Sequence, residues 1–528
     1  MVDKLKNKKL DDLEGIEPRI YARRWKILAT MCMSLLLVSI GNSSLNQALP
    51  TLARELNLSN LQLTWIVDIY PLLFAGLLFT SSAVADRYGR KLVMQIGLAF
   101  FVGATLFAGF IANSGSQLII ARAIMGLAAS MVMPVTLSII ENVFTRKERP
   151  RAIAIWSGVA GGGVALGSLA TGFLLEHYSW HSVFLFSSII GLLGFVLNQI
   201  FAPDSRDEKQ TPIDWLSGLL STTGLLGLVY GIIESPSNGL TSTGVMASLT
   251  VGVVALAIFA VRQLKLKHPM LDVRLFKFPE FSVAAISVLL AFFALMGIFF
   301  SVSQLFQLVM GYSPLKSSFA MLPIMMLMMI TAPVIPSVVK KIGVRITIAT
   351  GLMLLAVSFL IMSKWPTQPE YWHIFGSMFV MMAGMSMTMT PSTNMMMSAV
   401  PRNRAGMGSA MNDTTRELGG ALGIAVLGAV LGSVYSDKMQ QVLVYLPEQA
   451  RAVASGSLAG AMAAAEHSGA QGQQLAEFAK QAWMSGLSRA MIIASIIVAL
   501  ASLMSFIWLP KHANTNTDDE QLQPKIKG

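Results

Sequence analysis

Along the 528-residue chain, apolar runs of about 20 residues alternate with short polar breaks. Twenty helical residues rise about 30 Å, the hydrocarbon thickness of a bilayer, so each run predicts a membrane-spanning helix. The predicted spans begin near Trp25, Leu61, Leu92, Gln117, Ala152, Ser182 and Trp215, then Thr243, Phe281, Ser317, Thr347, His373, Ala405 and Met491. That makes fourteen. The breaks hold most of the charge; SAVADRYGRK, at 82–91, closes the second run with one acid and three cations.

The runs also repeat. Laying LSNLQLTWIV, from Leu58, over YSPLKSSFAM, from Tyr312, matches Ser59 with Ser313, Leu61 with Leu315 and aromatic Trp65 with aromatic Phe319. Gly89 and Gly343 lie thirty residues beyond their serines, so one offset of 254 residues relates two halves in the same orientation. Parallel six-span halves are a transporter architecture with a substrate path between them near the midplane. Two spans, from about Trp215 to Leu264, are left over between the halves.

Composition agrees with a membrane protein: 54% of residues are hydrophobic and 13% charged, where soluble domains carry roughly a quarter charged. The net charge of +11 becomes a matter of topology. Both termini and the loops after even-numbered spans hold most of the Lys and Arg, which places both termini in the cytoplasm and removes the case for nucleic-acid binding. Met1 to Lys26 is polar and basic with no cleavage site after the first span, so that span is expected to stay as an anchor. One cysteine, Cys32, and six histidines offer no disulfide framework, metal site or nucleophile constellation, so an enzyme is not expected.

The cations of SAVADRYGRK fit a positive-inside loop, but Asp86 does not. An acid at a membrane boundary can sit on a helix N-terminus while arginines bridge neighbouring helix ends, which makes a releasable latch. With Asp86, Arg87, Gly89, Arg90 and Lys91, this loop resembles that of the major facilitator superfamily, although Ser82 replaces its leading glycine. WIVDIYPL from Trp65, ARAIMGLAASMVMP from Ala121 and NDTTRELGGALGIAVLG from Asn412 are similar to the fourteen-span drug:proton antiporters, a branch that includes quaternary-ammonium efflux pumps. The resemblance covers roughly residues 25–510 and implies the major facilitator fold, an all-α integral membrane protein of two six-helix bundles plus two extra central helices. It also implies a cytoplasmic gate at Asp86 and a role in proton transfer for Arg122.

Two departures bear on coupling. The span-five antiporter motif, carried here by Gly163, Gly167 and Gly172, has Ser168 in place of proline and Thr171 in place of glycine. The acid often found in span one is Gly41, nine residues before Pro50.

Charges inside spans are costly and therefore candidates for function. Asp68 has an apolar counterpart, Leu322, in the second half, so its task belongs to one half alone. A carboxylate in apolar surroundings is satisfied by a proton or by a cation, which is the simplest exchange mechanism. Arg416 and Glu417 fall near the middle of span thirteen, and Glu417 is either a second coupling acid or half of a buried pair with Arg416 or Arg122. Trp65 and Tyr70 offer cation–π surface or interfacial anchoring. Asn412 and Met385, the latter in the Met-rich stretch from Met378 to Met397, are cavity candidates; adaptable thioethers suit varied ligands, and packing is the alternative.

The domain map is a tail at 1–24, a six-helix bundle at 25–203, two inserted spans at 204–268, a second bundle at 269–510 with an extracytoplasmic segment near 437–489, and a tail at 511–528. That segment is Ala-rich with helical periodicity, as a linker, gate or lid lying along the membrane surface. The expected function is proton-coupled export of lipophilic, cationic drugs and dyes from a bacterial cytoplasmic membrane. It needs no cofactor, and its partners are small lipophilic substrates, protons and the lipid bilayer, with the chain working as a monomer. The glycine run at 158–172 lacks the ending of a phosphate-binding loop, which favours the proton gradient as energy source. Export of an endogenous lipid, siderophore or metabolite is the alternative, and a non-transporting membrane sensor a third.

Overall fold

The structure, a computed structural model, describes residues 13, 16–145, 148–205, 214–239, 241–266, 269, 271–331, 334–398, 405–443, 451, 454–466 and 469–509. The tail expected at 511–528 and most of that at 1–24 lie outside the described residues.

The regular elements are helical. The first six are α1 (Pro18–Glu55), α2 (Asn60–Tyr88), α3 (Arg90–Phe110), α4 (Gly115–Val143), α5 (Arg149–His177) and α6 (His181–Phe201). An inserted pair, α7 (Trp215–Asn238) and α8 (Thr243–Lys265), follows. Then come α9 (Pro279–Gln304, prolonged by a π turn at Leu305–Val309), α10 (Pro314–Thr331), α11 (Ile335–Ile342), α12 (Val344–Met362) and α13 (Tyr371–Ser398). The last are α14 (Ala405–Leu443), α15 (Leu458–Glu466) and α16 (Gly469–Trp508).

Every predicted span start falls inside one of these helices. Among the described residues, twelve helices are long and apolar enough to cross a bilayer. The two other predicted spans are α5, of 29 residues, and α10, whose apolar stretch, Pro314–Met328, is shorter. Side chains such as Ile189, Val253 and Leu500 are exposed on the outer surface, as expected where the solvent is lipid.

The offset of 254 residues is visible in three dimensions. Ser59 accepts the Gln62 backbone N–H at 3.3 Å and starts α2; Ser313 accepts that of Lys316 at 3.2 Å and starts α10. Gly89 and Gly343 turn the chain at φ +112° and +83°, a region closed to most side chains. The packing repeats as well. In the first bundle α1 lies on α4, α5 and α6, α2 on α4, and α3 on α4 and α6; in the second, α9 lies on α13, α14 and α16, α10 on α13, and α12 on α13 and α16. The bundles meet along α2–α14 and α5–α10, and α7 lies on both α2 and α14, covering one seam.

The described part of the segment at 437–489 is largely helical. α14 continues to Leu443, four residues before Pro447, and α16 already begins at Gly469. At 39 and 40 residues, each is roughly 60 Å long. The Tyr435 hydroxyl donates to the carbonyls of Ala454 at 2.9 Å and Ser457 at 3.1 Å, tying this hairpin to the chain before α15.

Candidate functional site

A cavity between the bundles has about 530 Å³ of empty space, open solvent included. Its α1 wall is amide and hydroxyl, from Asn42, Ser43, Asn46 and Gln47. Met296 and Phe299 of α9 and Met321 and Met325 of α10 contribute thioether and aryl surface, suited to apolar ligands of varied shape.

At the end away from Gly89 the bundles are fastened together. Gln47 Nε2 donates to the Pro314 carbonyl at 2.7 Å, Ser318 Oγ to the Ser168 carbonyl at 2.8 Å, and Ser313 Oγ to Glu176 Oε2 at 3.0 Å. At the Gly89 end the described contacts of Asp86, Arg87, Arg90 and Lys91 stay within one half. Arg90 grips Asp86 through Nε at 3.1 Å and Nη2 at 2.9 Å, Lys91 Nζ donates to the Gln199 carbonyl at 2.9 Å, and Arg87 lies 5.7 Å from the Tyr88 ring centre. Among these described contacts the cluster ties α2 and α3 to the end of α6, and none reaches the second bundle.

Asp68 is fully buried on α2, and neither carboxyl oxygen has a hydrogen-bond partner. Its spacing from Trp65 and Leu72 puts all three on one helix face. That face packs on Val229 and Ile233 of α7 and Ala421 and Ala425 of α14, so Asp68 stands where the bundle seam meets the inserted pair. Trp65 itself is occupied there: its Nε1 donates to Glu234 Oε1 at 3.3 Å, and its ring lies 5.6 Å from Tyr230.

The opposite face of α2 holds Arg122 of α4, fully buried. Its Nη1 donates to the Gly41 carbonyl at 2.7 Å and its Nε to the Ile66 carbonyl at 3.1 Å, while the guanidinium lies 4.3 Å over the Tyr70 ring. Its Nη2 has no partner. Three helices, α1, α2 and α4, are thus joined by one cation without an acid. At Gly126, one turn along α4, a Cβ would strike the Tyr70 carbonyl, so glycine allows the approach on which this contact depends. At Gly41 a Cβ would stand 2.7 Å from Phe101 Cζ.

On α14, Arg416 lies 4.7 Å from the Phe292 ring centre and 3.8 Å from Asp413. Glu417 is within electrostatic reach of Arg416 and Asp413, and of Tyr70 on the other bundle. Asn412 accepts from Thr393 at 3.2 Å and donates to Asp413 at 3.5 Å.

A profile of the Major Facilitator Superfamily matches residues 31–424. The chain belongs to the Major Facilitator Superfamily. It is 35% identical over 485 residues to the multidrug efflux pump LfrA of Mycolicibacterium smegmatis, covering 92% of this chain and 96% of that protein. It is 30% identical over 491 residues to the methyl viologen resistance protein SmvA of Salmonella typhimurium, covering 93% and 99%. The fold is also similar, at TM-score 0.64 and 17% identity, to a bacterial homologue of the human lysosomal transporter Spinster in an inward-facing, unoccupied form, over 92% of this chain and 96% of that one.

In this facilitator protein, a multi-pass membrane transporter and not an enzyme, the span-five glycines set helix distances. A Cβ at Gly163 would meet Ser39 of α1 at 2.8 Å and one at Gly167 the backbone of Ile40 at 3.1 Å, while Gly172 fits against Pro314 and Leu315 across the seam. Met385 is fully buried on α13, and the methionines lining the cavity are Met296, Met321 and Met325. Asp413, only 5% exposed, joins the α14 cluster although the sequence reading did not single it out. Its spacing from Arg416 and Glu417, three and four residues, was the available signal.

Proposed function

We propose that this transporter is a drug:proton antiporter exporting lipophilic cations, including quaternary ammonium dyes, from a bacterial cytoplasm. It crosses the cytoplasmic membrane fourteen times as a monomer, with both termini and the Gly89 loop on the cytoplasmic side. The observation that carries this reading is Asp68, a fully buried acid with no donor on either oxygen. Such a group is tolerated in a bilayer when a proton or a cation satisfies it, so the arrival of one can expel the other. The likeness to a methyl viologen resistance protein supports a cationic substrate, since methyl viologen is a dication. The hydrogen bonds fastening the far end support an inward-facing resting form, in which the Asp86 cluster is released from the second bundle. Glu417, on the opposite bundle, is the second coupling acid.

Purified protein in detergent should release protons when a quaternary ammonium dye is added, and Asp68→Asn should lose that release. Dye binding with unchanged release in the variant would move coupling to Glu417. Absence of dye binding by the native chain would favour the second reading, export of an endogenous lipid, siderophore or metabolite, to which the charge-free cavity lining lends support.

A further inference from the structure

The far end of the cavity combines two features that are usually separate. Gln47, Ser168 and Ser303 line the space a ligand would enter, and the same three residues make the hydrogen bonds that hold the bundles together. Ser303 Oγ donates to Gln47 Oε1 at 3.3 Å; Gln307 Nε2 donates to the Gln47 carbonyl at 3.1 Å and to Ser303 Oγ at 3.3 Å. Gln307 stands in the π turn at Leu305–Val309, an irregularity common at functional positions. Two acceptors are left over: Asn46 Oδ1, on a residue lining the cavity, and Gln307 Oε1, on a residue only 7% exposed, are both buried without partners. Unsatisfied buried oxygens call for a donor or a positive charge.

We propose that Asn46 and Gln47, the latter steadied by Gln307, form a cation subsite that is also the latch of the extracytoplasmic gate. A lipophilic cation held by these neutral amide oxygens draws Gln47 away from Ser303 and unfastens the bundles at that end. The inference rests on the export of cations proposed above. The positive centre meets the amide oxygens while its apolar body lies on Met296, Phe299, Met321 and Met325, where thioethers and the ring face also favour a cation. No carboxylate lines this cavity among the described residues. Neutral oxygens hold a cation without a full ion pair to break on release.

The test uses the full chain in a Cys32→Ser background with spin labels at Tyr178→Cys and Trp372→Cys, exposed positions on opposite bundles at the extracytoplasmic end. Tetraphenylphosphonium should lengthen the label distance in this parent. Gln47→Leu should show the longer distance without ligand. Asn46→Leu should bind tetraphenylphosphonium at least tenfold more weakly and show no lengthening, and Asn46→Gln, which keeps the amide oxygen, should restore both and exclude a folding defect. Binding by Asn46→Leu within twofold of the parent would overturn the subsite, and an unchanged distance in Gln47→Leu would overturn the latch. If the parent itself fails to bind tetraphenylphosphonium, the export of cations falls and the subsite with it.

Discussion

Gly89, which caps the end of α2, and Asp68, within that helix, are each costly for a different reason. At φ +112° the Gly89 backbone is closed to L side chains, while nothing lies within 4 Å of a Cβ placed there. Gly89→Ala is therefore expected to lose about 1–3 kcal/mol through backbone strain alone, which thermal unfolding in detergent would read as a lower Tm. A side chain elsewhere cannot relieve it. Asp68 is costly through its surroundings, because burial leaves its oxygens without donors, and Asp68→Asn removes the acid while keeping the shape. Gly89 was legible in the sequence from its place in the motif and repeat. The orphaned state of Asp68 was not, since it depends on what α7 and α14 bring to the site.

The inserted pair shows how an element is fastened. At its base Arg262 of α8 grips Asp214, with Nη2–Oδ1 at 2.9 Å, and Asp214 also caps α7 through the Ser217 backbone at 3.1 Å. Burial pushes the Asp214 carboxyl up, but the hydrogen bonds from Arg262 and Ser217 outweigh it and hold the group below its ordinary value. A depressed carboxyl contributes stability that is complete above the unfolded value, about pH 4, and is lost only as pH falls through the lower folded value. Asp214→Asn should lower the Tm by a few degrees, equally at pH 5 and pH 8, with the difference shrinking as pH falls below about 4. A difference that grew between pH 8 and pH 5 would contradict this account. At its other end the pair holds Trp65 through Glu234. The sequence marked these two spans as extra; their place over the α2–α14 seam came from packing.

At the scale of the molecule, two similar bundles share two seams, fastened here at the end away from Gly89. Rigid rocking about the substrate site predicts opposite movements at the two ends. Labels at Tyr88→Cys and Lys341→Cys, at the Gly89 end, should approach each other under the same ligand that separates 178 from 372. Parallel changes at both ends, in place of opposite ones, would rule out rocking of rigid halves.

The sequence by itself determined where the helices of the predicted spans lie, the repeat at 254 residues and the charged loop at Asp86. These are local properties, set by apolar run length, by caps such as Ser59 and Ser313, and by glycines at positive φ. Only the tertiary structure decided which polar groups have partners. Gln47 finds the Pro314 carbonyl 267 residues away, Arg122 finds Gly41 and Ile66 in place of an acid, and Trp65 turns to Glu234. Inside a bilayer no water supplies the missing hydrogen bonds, so a buried group's role follows from the neighbours that packing brings to it, and those lie on other helices.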